Sequence, residues 1–202
     1  TTDDQIVERA SGADIVLTNK TPLSAETLKQ LPDLKFISVL ATGFNVVDVA
    51  AARERNIPVS NIPIYGTDSV AQFVFAMLLE LCHNVALHDK LVKEGAWSSQ
   101  PDFCFWKTPL MELTGKTMGI VGFGRIGRRT GELAAAFGMK VLAHDLYQGD
   151  APDYEGFEWV DINSLFERSD VVSLHCPLTA ENNAFVNKDL LQKMKPGSFL
   201  IN

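Results

Sequence analysis

The sequence has few cysteines, no cluster of basic residues and no long apolar run. Its three cysteines, Cys82, Cys104 and Cys176, lie far apart without Cys-x-x-Cys spacing, so neither a disulfide framework nor a metal site is predicted, and a reducing cytoplasm is expected. Lys and Arg number 18 against 25 Asp and Glu. Since phosphate backbones are bound by clustered Lys and Arg, a nucleic-acid partner is not expected. No apolar segment approaches the roughly 18 to 20 residues of a membrane span, so no membrane partner is expected.

What is present is the composition of a globular protein. The 202 residues are 46% apolar and 21% charged, enough material for two small domains. Strand-like and helix-like segments alternate along the chain, except over 95–114. This irregular stretch contains Trp97, Phe103, Phe105 and Trp106. We therefore predict an α/β protein with domains at 1–94 and 115–202, joined by an aromatic loop that packs over another surface.

The first predicted domain consists of parallel strands connected by helices. The predicted strands are 15–18, 36–41 and 58–62, and the predicted helices are 25–30, 46–54 and 69–93. Ser24 is the expected N-cap of the first helix, and Ser69 with Gln72 has the spacing of a capping box. The helix 69–93 is apolar around much of its girth, so we expect it between domains or against the second subunit of a homodimer.

The second predicted domain repeats the β-α-β alternation. Its predicted strands are 117–121, 140–143, 171–174 and 198–201, and its predicted helices are 126–137, 162–168 and 188–194. Directly after the first of these strands comes GFGRIG at 122–127, where the next helix begins. In a G-x-G-x-x-G turn, Gly122 would allow the tight bend, Gly124 would let the backbone approach a diphosphate, and Gly127 would let the helix pack on the strand.

An acidic residue follows the next strand at the expected separation. Asp145 lies 18 residues after Gly127, close to the distance of about 20 for a residue that binds the adenosine ribose. Its carboxylate would accept hydrogen bonds from the ribose hydroxyls and repel a 2′-phosphate. Because Leu146, Tyr147 and Gln148 supply no cation, NAD is favoured over NADP. The alternative is that Asp145 only ends a strand in a turn.

The start of the helix after the glycine turn offers phosphate ligands. The backbone N–H groups of Arg125 and Ile126 point out of a helix N-terminus, where anions bind. The Arg125 side chain lies beside the phosphates or is solvated, and the sequence leaves both open. The four histidines are interpreted as structural residues rather than catalytic bases; they are His83, His88, His144 and His175.

Several motifs, in order along nearly the whole chain, resemble the D-isomer-specific 2-hydroxyacid dehydrogenases. Besides GFGRIG they are ATGFNVVD at 41–48, NIPV at 56–59, DSVAQ at 68–72, LTGKT at 113–117, HCPLT at 175–179 and MKPG at 194–197. Within that family, DFCFWK at 102–107 is most similar to glycerate dehydrogenases and hydroxypyruvate reductases. The resemblance implies two Rossmann-like domains, a flavodoxin-like substrate domain and an NAD-binding domain, with a cleft between them.

The resemblance also gives roles to residues that the sequence pattern leaves without one. It implies that the backbone at Ala41, Thr42 and Gly43 binds the substrate carboxylate. It implies that the cofactor is lined by Val70, Cys176, Pro177 and Thr179. Without the resemblance, Thr42 and Gly43 would be a simple turn, and Val70 would be a core valine.

The family's substrate-binding Arg, and its Glu and His, follow the position of Asn202, so no catalytic residue is identified here. We expect a fragment with both domains incomplete and little activity of its own. The complete enzyme would transfer a hydride between NADH and a small 2-oxo acid, converting hydroxypyruvate or glyoxylate to D-glycerate or glycolate. The alternative is a non-catalytic, NAD-sensing module of the corepressor type.

Overall fold

A computed structural model describes residues 2–179 and 181–202. Contacts divide the chain into two units, Thr1–Tyr65 and Gly66–Asn202. Each unit contains one parallel β-sheet. The predicted α/β class with parallel sheets is therefore confirmed.

The first unit has three strands and three helices. In chain order they are α1 (Asp3–Ala10), β1 (Ile15–Thr18), α2 (Ala25–Lys29), β2 (Phe36–Val39), α3 (Val49–Glu54) and β3 (Val59–Ser60). The strands pair in the order β1-β2-β3. Ser24 caps α2 as predicted, because its hydroxyl accepts the Thr27 N–H at 3.2 Å. Helix α1 was not predicted. Ile6 is its single buried residue, and one buried residue does not produce a detectable apolar periodicity.

The sheet of the first unit is covered unevenly. Ile37 and Val39 on β2 are buried in one cluster with Leu28 of α2 and Ala52 of α3. On the edge strand β1, by contrast, the side chains of Ile15 and Leu17 are 56% and 63% exposed. Parallel sheets are usually buried on both faces, so this strand exposes an unusual amount of apolar surface.

The second unit is a five-stranded sheet with helices on both faces. Its elements are α4 (Thr67–His83), α5 (Val85–Lys93), β4 (Thr117–Val121), α6 (Arg125–Ala136), β5 (Lys140–His144), β6 (Phe157–Trp159), α7 (Ile162–Arg168), β7 (Val171–Leu174), α8 (Lys188–Leu191) and β8 (Phe199–Ile201). The strand order is β6-β5-β4-β7-β8. The order therefore reverses between β4 and β7, which is the topological switch point at which open α/β sheets bind ligands.

The prediction of one continuous helix over 69–93 is wrong. Two helices, α4 and α5, meet at Asn84 with a bend of 55°. Asn84 adopts a left-handed conformation with φ 48°, which Asn tolerates better than most residues. The Glu80 carboxylate accepts the Val85 N–H at 3.1 Å, so a side chain from α4 caps α5. The break is therefore stabilised from both sides.

The predicted capping box at the start of this helix is also wrong. Helix α4 begins two residues earlier, at Thr67, with Gly66 as its N-cap and no side-chain cap. The Ser69 hydroxyl instead donates to the Gly66 carbonyl at 3.2 Å. Ser69 therefore lies inside the first turn, where its side chain bonds backward along the helix.

Helix α4 packs within the second unit. Its buried residues Val74, Phe75 and Leu78 share a cluster with Met118 and Ile120 of β4. This burial explains why the division between units falls at Tyr65 and Gly66 rather than in the stretch 95–114. The apolar face was predicted, but a helix pattern alone does not identify the surface on which that face is buried.

The aromatic stretch 95–114 is packed only in part. The Trp97 and Phe105 rings lie 6.0 Å apart, and the Lys107 N–H donates to Nε2 of His88 on α5 at 3.1 Å. Phe103, in contrast, is 91% exposed. No single helix in the described residues meets the length and hydropathy needed to cross a membrane; the bent pair α4 and α5 meets them only when taken together.

Candidate cofactor-binding site

The glycine turn lies at the carboxyl end of β4, beside the turn that follows β7. Gly122 has φ +88°, a left-handed conformation that favours glycine. A Cβ at this position would lie 2.7 Å from both the Cys176 Cα and the His175 carbonyl carbon. Gly122 is therefore required by its backbone conformation and by the close approach of two loops at the switch point.

The next glycine of the turn faces open space. Gly124 is the N-cap of α6, it is exposed, and a Cβ built on it meets no atom within 4 Å. The backbone N–H groups of Arg125 and Ile126 have no acceptor among the described residues, and no side chain caps the helix. An uncapped helix N-terminus with an open approach has the geometry of an anion site.

The third glycine has a purely structural environment. A Cβ on Gly127 would collide with the carbonyl oxygen of Gly122 and lie 3.2 Å from the Ile120 side chain. Gly127 is fully buried, and α6 lies directly against β4 at this point. The predicted role of Gly127 in helix–strand packing is therefore confirmed.

The Asp145 carboxylate lies against the same turn. Its Oδ2 accepts the Phe123 N–H at 2.6 Å, and its Oδ1 accepts the Tyr147 N–H at 3.1 Å. Asp145 is half-buried at the carboxyl end of β5. The sequence spacing predicts a ribose-binding role for Asp145, and the structure adds a direct hydrogen bond that holds its carboxylate to the turn.

The loop after β7 completes this edge of the sheet. Burial raises the pKa of the Cys176 thiol, and the negative charge of Asp145 raises that pKa further. Burial also lowers the pKa of His175 to about 4, and its Nε2 lies 2.9 Å from the Ser173 hydroxyl. The contact with Ser173 and the burial of the ring are consistent with the interpretation of His175 as structural.

Two other histidines have clear structural contacts. His88 Nδ1 lies 2.9 Å from the Asn84 carbonyl oxygen, and His144 Nδ1 lies 3.1 Å from the Val160 carbonyl oxygen. Across residues 2–179 and 181–202, no three His, Cys, Asp or Glu side chains are grouped as metal ligands would be.

Asn182 organises the turn after Cys176 and was not predicted. Its Nδ2 donates to the Pro177 carbonyl at 2.7 Å, and its Oδ1 accepts the Thr179 N–H at 2.7 Å. Its own N–H donates to the Thr179 hydroxyl at 3.3 Å. Asn and Thr three residues apart commonly form such reciprocal side-chain bonds, and this spacing was the available signal in the sequence.

Replacing Asn182 with Ala is expected to release this turn, because the Thr179 N–H and the Pro177 carbonyl both lose a partner. A lost hydrogen bond of this kind costs about 1 kcal/mol, so exchange of the Thr179 amide measured by NMR should accelerate about fivefold. Asn183→Ala is the matched control, since Asn183 is exposed and forms no hydrogen bond with the described residues. Equal exchange rates in the two variants would contradict this account.

The predicted substrate loop belongs to the first unit. Thr42 and Gly43 are exposed just beyond β2, and Asn61 Nδ2 donates to the Thr42 carbonyl at 2.8 Å. Ala41 is half-buried, and its carbonyl accepts the Ile62 N–H at 3.1 Å. The N–H groups of Thr42 and Gly43 have no acceptor among the described residues. The loop is thus fixed through its carbonyls while two amides stay free.

Val70 lies in the first turn of α4 in the second unit. Its side chain is 40% exposed, so it is not a core valine. Pro177 and Thr179 are exposed as well, whereas Cys176 is half-buried. Within the second unit, the structure brings the glycine turn, Asp145 and Cys176 together at one sheet edge.

A parallel sheet with a glycine turn at its switch point and a carboxylate after the adjacent strand defines a dinucleotide-binding α/β domain. A family model described as D-isomer specific 2-hydroxyacid dehydrogenase, NAD binding domain, matches residues 75–202. The chain belongs to the D-isomer specific 2-hydroxyacid dehydrogenase family. The resemblance stated from the sequence motifs is confirmed.

Individual relatives agree with this assignment. The hydroxypyruvate reductase of Blautia hydrogenotrophica is 52% identical over 199 residues, which cover 98% of this chain and 62% of that protein. The glycerate dehydrogenase of Methylorubrum extorquens is 40% identical over 201 residues, which cover 100% of this chain and 62% of that protein. The solved D-lactate dehydrogenase from Aquifex aeolicus, complexed with NAD and lactic acid, has a TM-score of 0.82 and 32% identity, covering 97% of this chain and 58% of that one. The chain thus spans about three fifths of the length of these relatives.

Proposed function

We propose that these residues belong to an NADH-dependent reductase of small 2-oxo acids, which converts hydroxypyruvate or glyoxylate to D-glycerate or glycolate. The proposal rests chiefly on the 52% identity with a hydroxypyruvate reductase across almost the whole chain. It is further supported by the glycine turn, where free amides and a held carboxylate lie at one sheet edge.

The second unit would hold the cofactor. Gly122, Gly124 and Gly127 form the bend, and a diphosphate would bind the free N–H groups of Arg125 and Ile126. A side chain on Gly124 would occupy the approach, and its absence fits a group bound there. The Arg125 side chain is exposed without an ion-pair partner among the described residues, so it is available to an anion.

Asp145 would bind the adenosine ribose. Its two oxygens already accept one backbone N–H each, and a carboxylate offers about four acceptor positions, so capacity remains for ribose hydroxyls. Its negative charge would disfavour the 2′-phosphate of NADP. Cys176, Pro177 and Thr179 would lie along the adenosine, and Val70 beside the nicotinamide.

The first unit would bind the substrate. The free N–H groups of Thr42 and Gly43, beside Ala41, would donate to the substrate carboxylate, which is the anionic group shared by the proposed substrates. The cofactor supplies the hydride when bound. The residues of this chain would therefore bind and orient the reactants, and no proton-transfer residue is assigned among them.

The decisive test is NADH consumption by the full-length protein with hydroxypyruvate or glyoxylate. We expect turnover with both acids and little with a bulky acid such as 2-oxoisocaproate, which serves as the control. NADH binding without turnover of any 2-oxo acid would support an NAD-sensing module instead. Failure to bind NADH would reject both functions.

We also propose a homodimer in the cytoplasm. The apolar side chains of Phe73, Val85 and Val92 on α4 and α5 are exposed, as is Trp106 in the aromatic stretch. These exposed apolar side chains on two consecutive helices support a contact with a second copy of the chain. Three free cysteines are consistent with a reducing compartment.

A further inference from the structure

The loop that follows β5 has few anchors. Leu146 and Tyr147 are each 88% exposed. One hydrogen bond lies inside the loop, from the Tyr147 N–H to Asp145. Among the described residues, the other hydrogen bond that holds the loop comes from Arg128, the residue that follows the glycine turn on α6.

Arg128 spans the distance between the glycine turn and the end of this loop. Its Nη1 donates to the Asp150 carbonyl at 3.0 Å, and its guanidinium carbon lies 5.1 Å from the centre of the Phe123 ring. A Cβ on Gly149 would lie 3.0 Å from Nη2, so the missing side chain at 149 leaves room for the guanidinium. Arg128 is half-buried in this position.

Phe123 joins this contact to Asp145. The Phe123 ring is buried, with its centre 5.1 Å from Phe157 and 5.3 Å from Trp159, so it is a fixed platform for the guanidinium. The Phe123 backbone N–H donates to Asp145. Phe123 therefore supports one end of the loop through its amide, and Arg128, resting on its ring, supports the other end.

We propose that Arg128 is a positioning residue that holds the loop 146–150, and through it the Asp145 carboxylate, in place to bind a ribose diol and to exclude a 2′-phosphate. This inference rests on the proposed function of Asp145. A loop with one end free samples more conformations, and the cost of ordering it is then subtracted from cofactor affinity. Arg128 thereby acts on selectivity between NADH and NADPH without touching the adenosine.

The test is a double-mutant cycle in the full-length protein, with the Kd for NADH and NADPH measured by fluorescence. Arg128→Met keeps an aliphatic stem of similar length and removes the charge, the hydrogen bond and the cation–π contact with the Phe123 ring. We expect it to raise the Kd for NADH about five- to tenfold. The ratio of the Kd for NADPH to the Kd for NADH should fall. In an Asp145→Ala background the same change should add less than about twofold, because Arg128 acts through Asp145.

Two further variants separate positioning from general effects. Arg129→Met removes the same charge from the next position of α6. Arg129 pairs instead with Asp68 and Glu132, so this change should leave the ratio of the Kd values for NADPH and NADH unchanged. Arg128→Lys keeps the charge but not the planar fork, and should restore part of the selectivity. A thermal unfolding transition like that of the wild-type protein shows that each variant is folded.

If the fold-changes in Kd caused by Arg128→Met and Asp145→Ala multiply in the double variant, the proposal is overturned. The two residues would then act independently, and Arg128 would not act through Asp145. A larger loss of NADPH than of NADH affinity in Arg128→Met would overturn it too, because the guanidinium would then bind the phosphate directly. Both results require a wild-type protein that binds NADH. A wild-type protein that does not bind NADH would instead reject the proposed function and this inference together.

Discussion

Replacing Gly127 with Ala is expected to lower the free energy of unfolding of the second unit by about 3 kcal/mol. The added methyl group would collide with the Gly122 carbonyl oxygen, which belongs to the backbone of the tight turn and cannot rotate away. Relief would require α6 to move off β4. Urea denaturation followed by tryptophan fluorescence measures the effect, since Trp97, Trp106 and Trp159 all lie in this unit.

Gly124→Ala is the matched control for this prediction. It is the same chemical change three residues earlier, at a position with φ −74° where a Cβ meets no atom within 4 Å. Its effect on unfolding should stay within about 0.5 kcal/mol. NADH affinity should fall instead, because the methyl group would project into the approach to the helix N-terminus. Similar unfolding curves for the two variants would refute the packing role of Gly127.

Replacing Asp145 with Ala is expected to weaken NADH binding about ten- to a hundredfold and to reduce the preference for NADH over NADPH. The carboxylate would form charge-assisted hydrogen bonds with the ribose, and such bonds are each worth about 1.5 to 3 kcal/mol. Its loss also removes the acceptor of the Phe123 N–H, so the turn itself becomes less fixed. Binding constants for NADH and NADPH, measured under the same conditions, report both effects.

Asp145→Asn separates the charge from the shape. The amide keeps an oxygen that can still accept the Phe123 N–H, but it no longer repels a phosphate. We expect this variant to bind NADPH better than the wild type does, while losing less NADH affinity than Asp145→Ala. An unchanged ratio of NADH to NADPH affinity in both variants would show that the ribose is bound elsewhere.

The strands in the middle of the second sheet were predicted with their exact bounds from the sequence. The strands at 117–121 and 171–174 and the helix at 162–168 have the predicted bounds. Strands in the middle of a parallel sheet are apolar on both faces, so they form continuous apolar runs bounded by polar residues. β6, which is only Phe157–Trp159 at the sheet edge, is too short to show any period and was missed.

The break between α4 and α5 had a weaker signal. Apolar residues continue at helical spacing across Asn84, so periodicity predicted one helix. The bend depends on the left-handed Asn84 and on the Glu80 carboxylate that accepts the Val85 N–H. A single Asn inside an apolar helical pattern was the only indication, and Asn also occurs within helices.

Among the residues of the proposed cofactor site, those whose proposed role depends on the backbone or on one charge could be identified from the sequence. Their spacing follows from the geometry of a β-α-β unit, as Gly122 and Asp145 illustrate. Asn182 and Arg128 were not predicted, because their roles depend on which loop each side chain touches. Asn182 binds Pro177 and Thr179, which precede it by a few residues. Arg128 binds the carbonyl of Asp150, which lies beyond the next strand, β5.

By itself, the sequence determined the parallel α/β class, the glycine turn, the acidic residue after the following strand and the family, because each depends on local spacing along the chain. Only the tertiary structure decided that α4 is packed in the second unit, that Phe123 holds Asp145, and that the β4 and β7 loops meet at Gly122. The physical reason is that hydrophobic burial and hydrogen bonding between distant segments are properties of pairs of surfaces. A pattern along one segment shows that a surface is to be buried, but not which surface buries it.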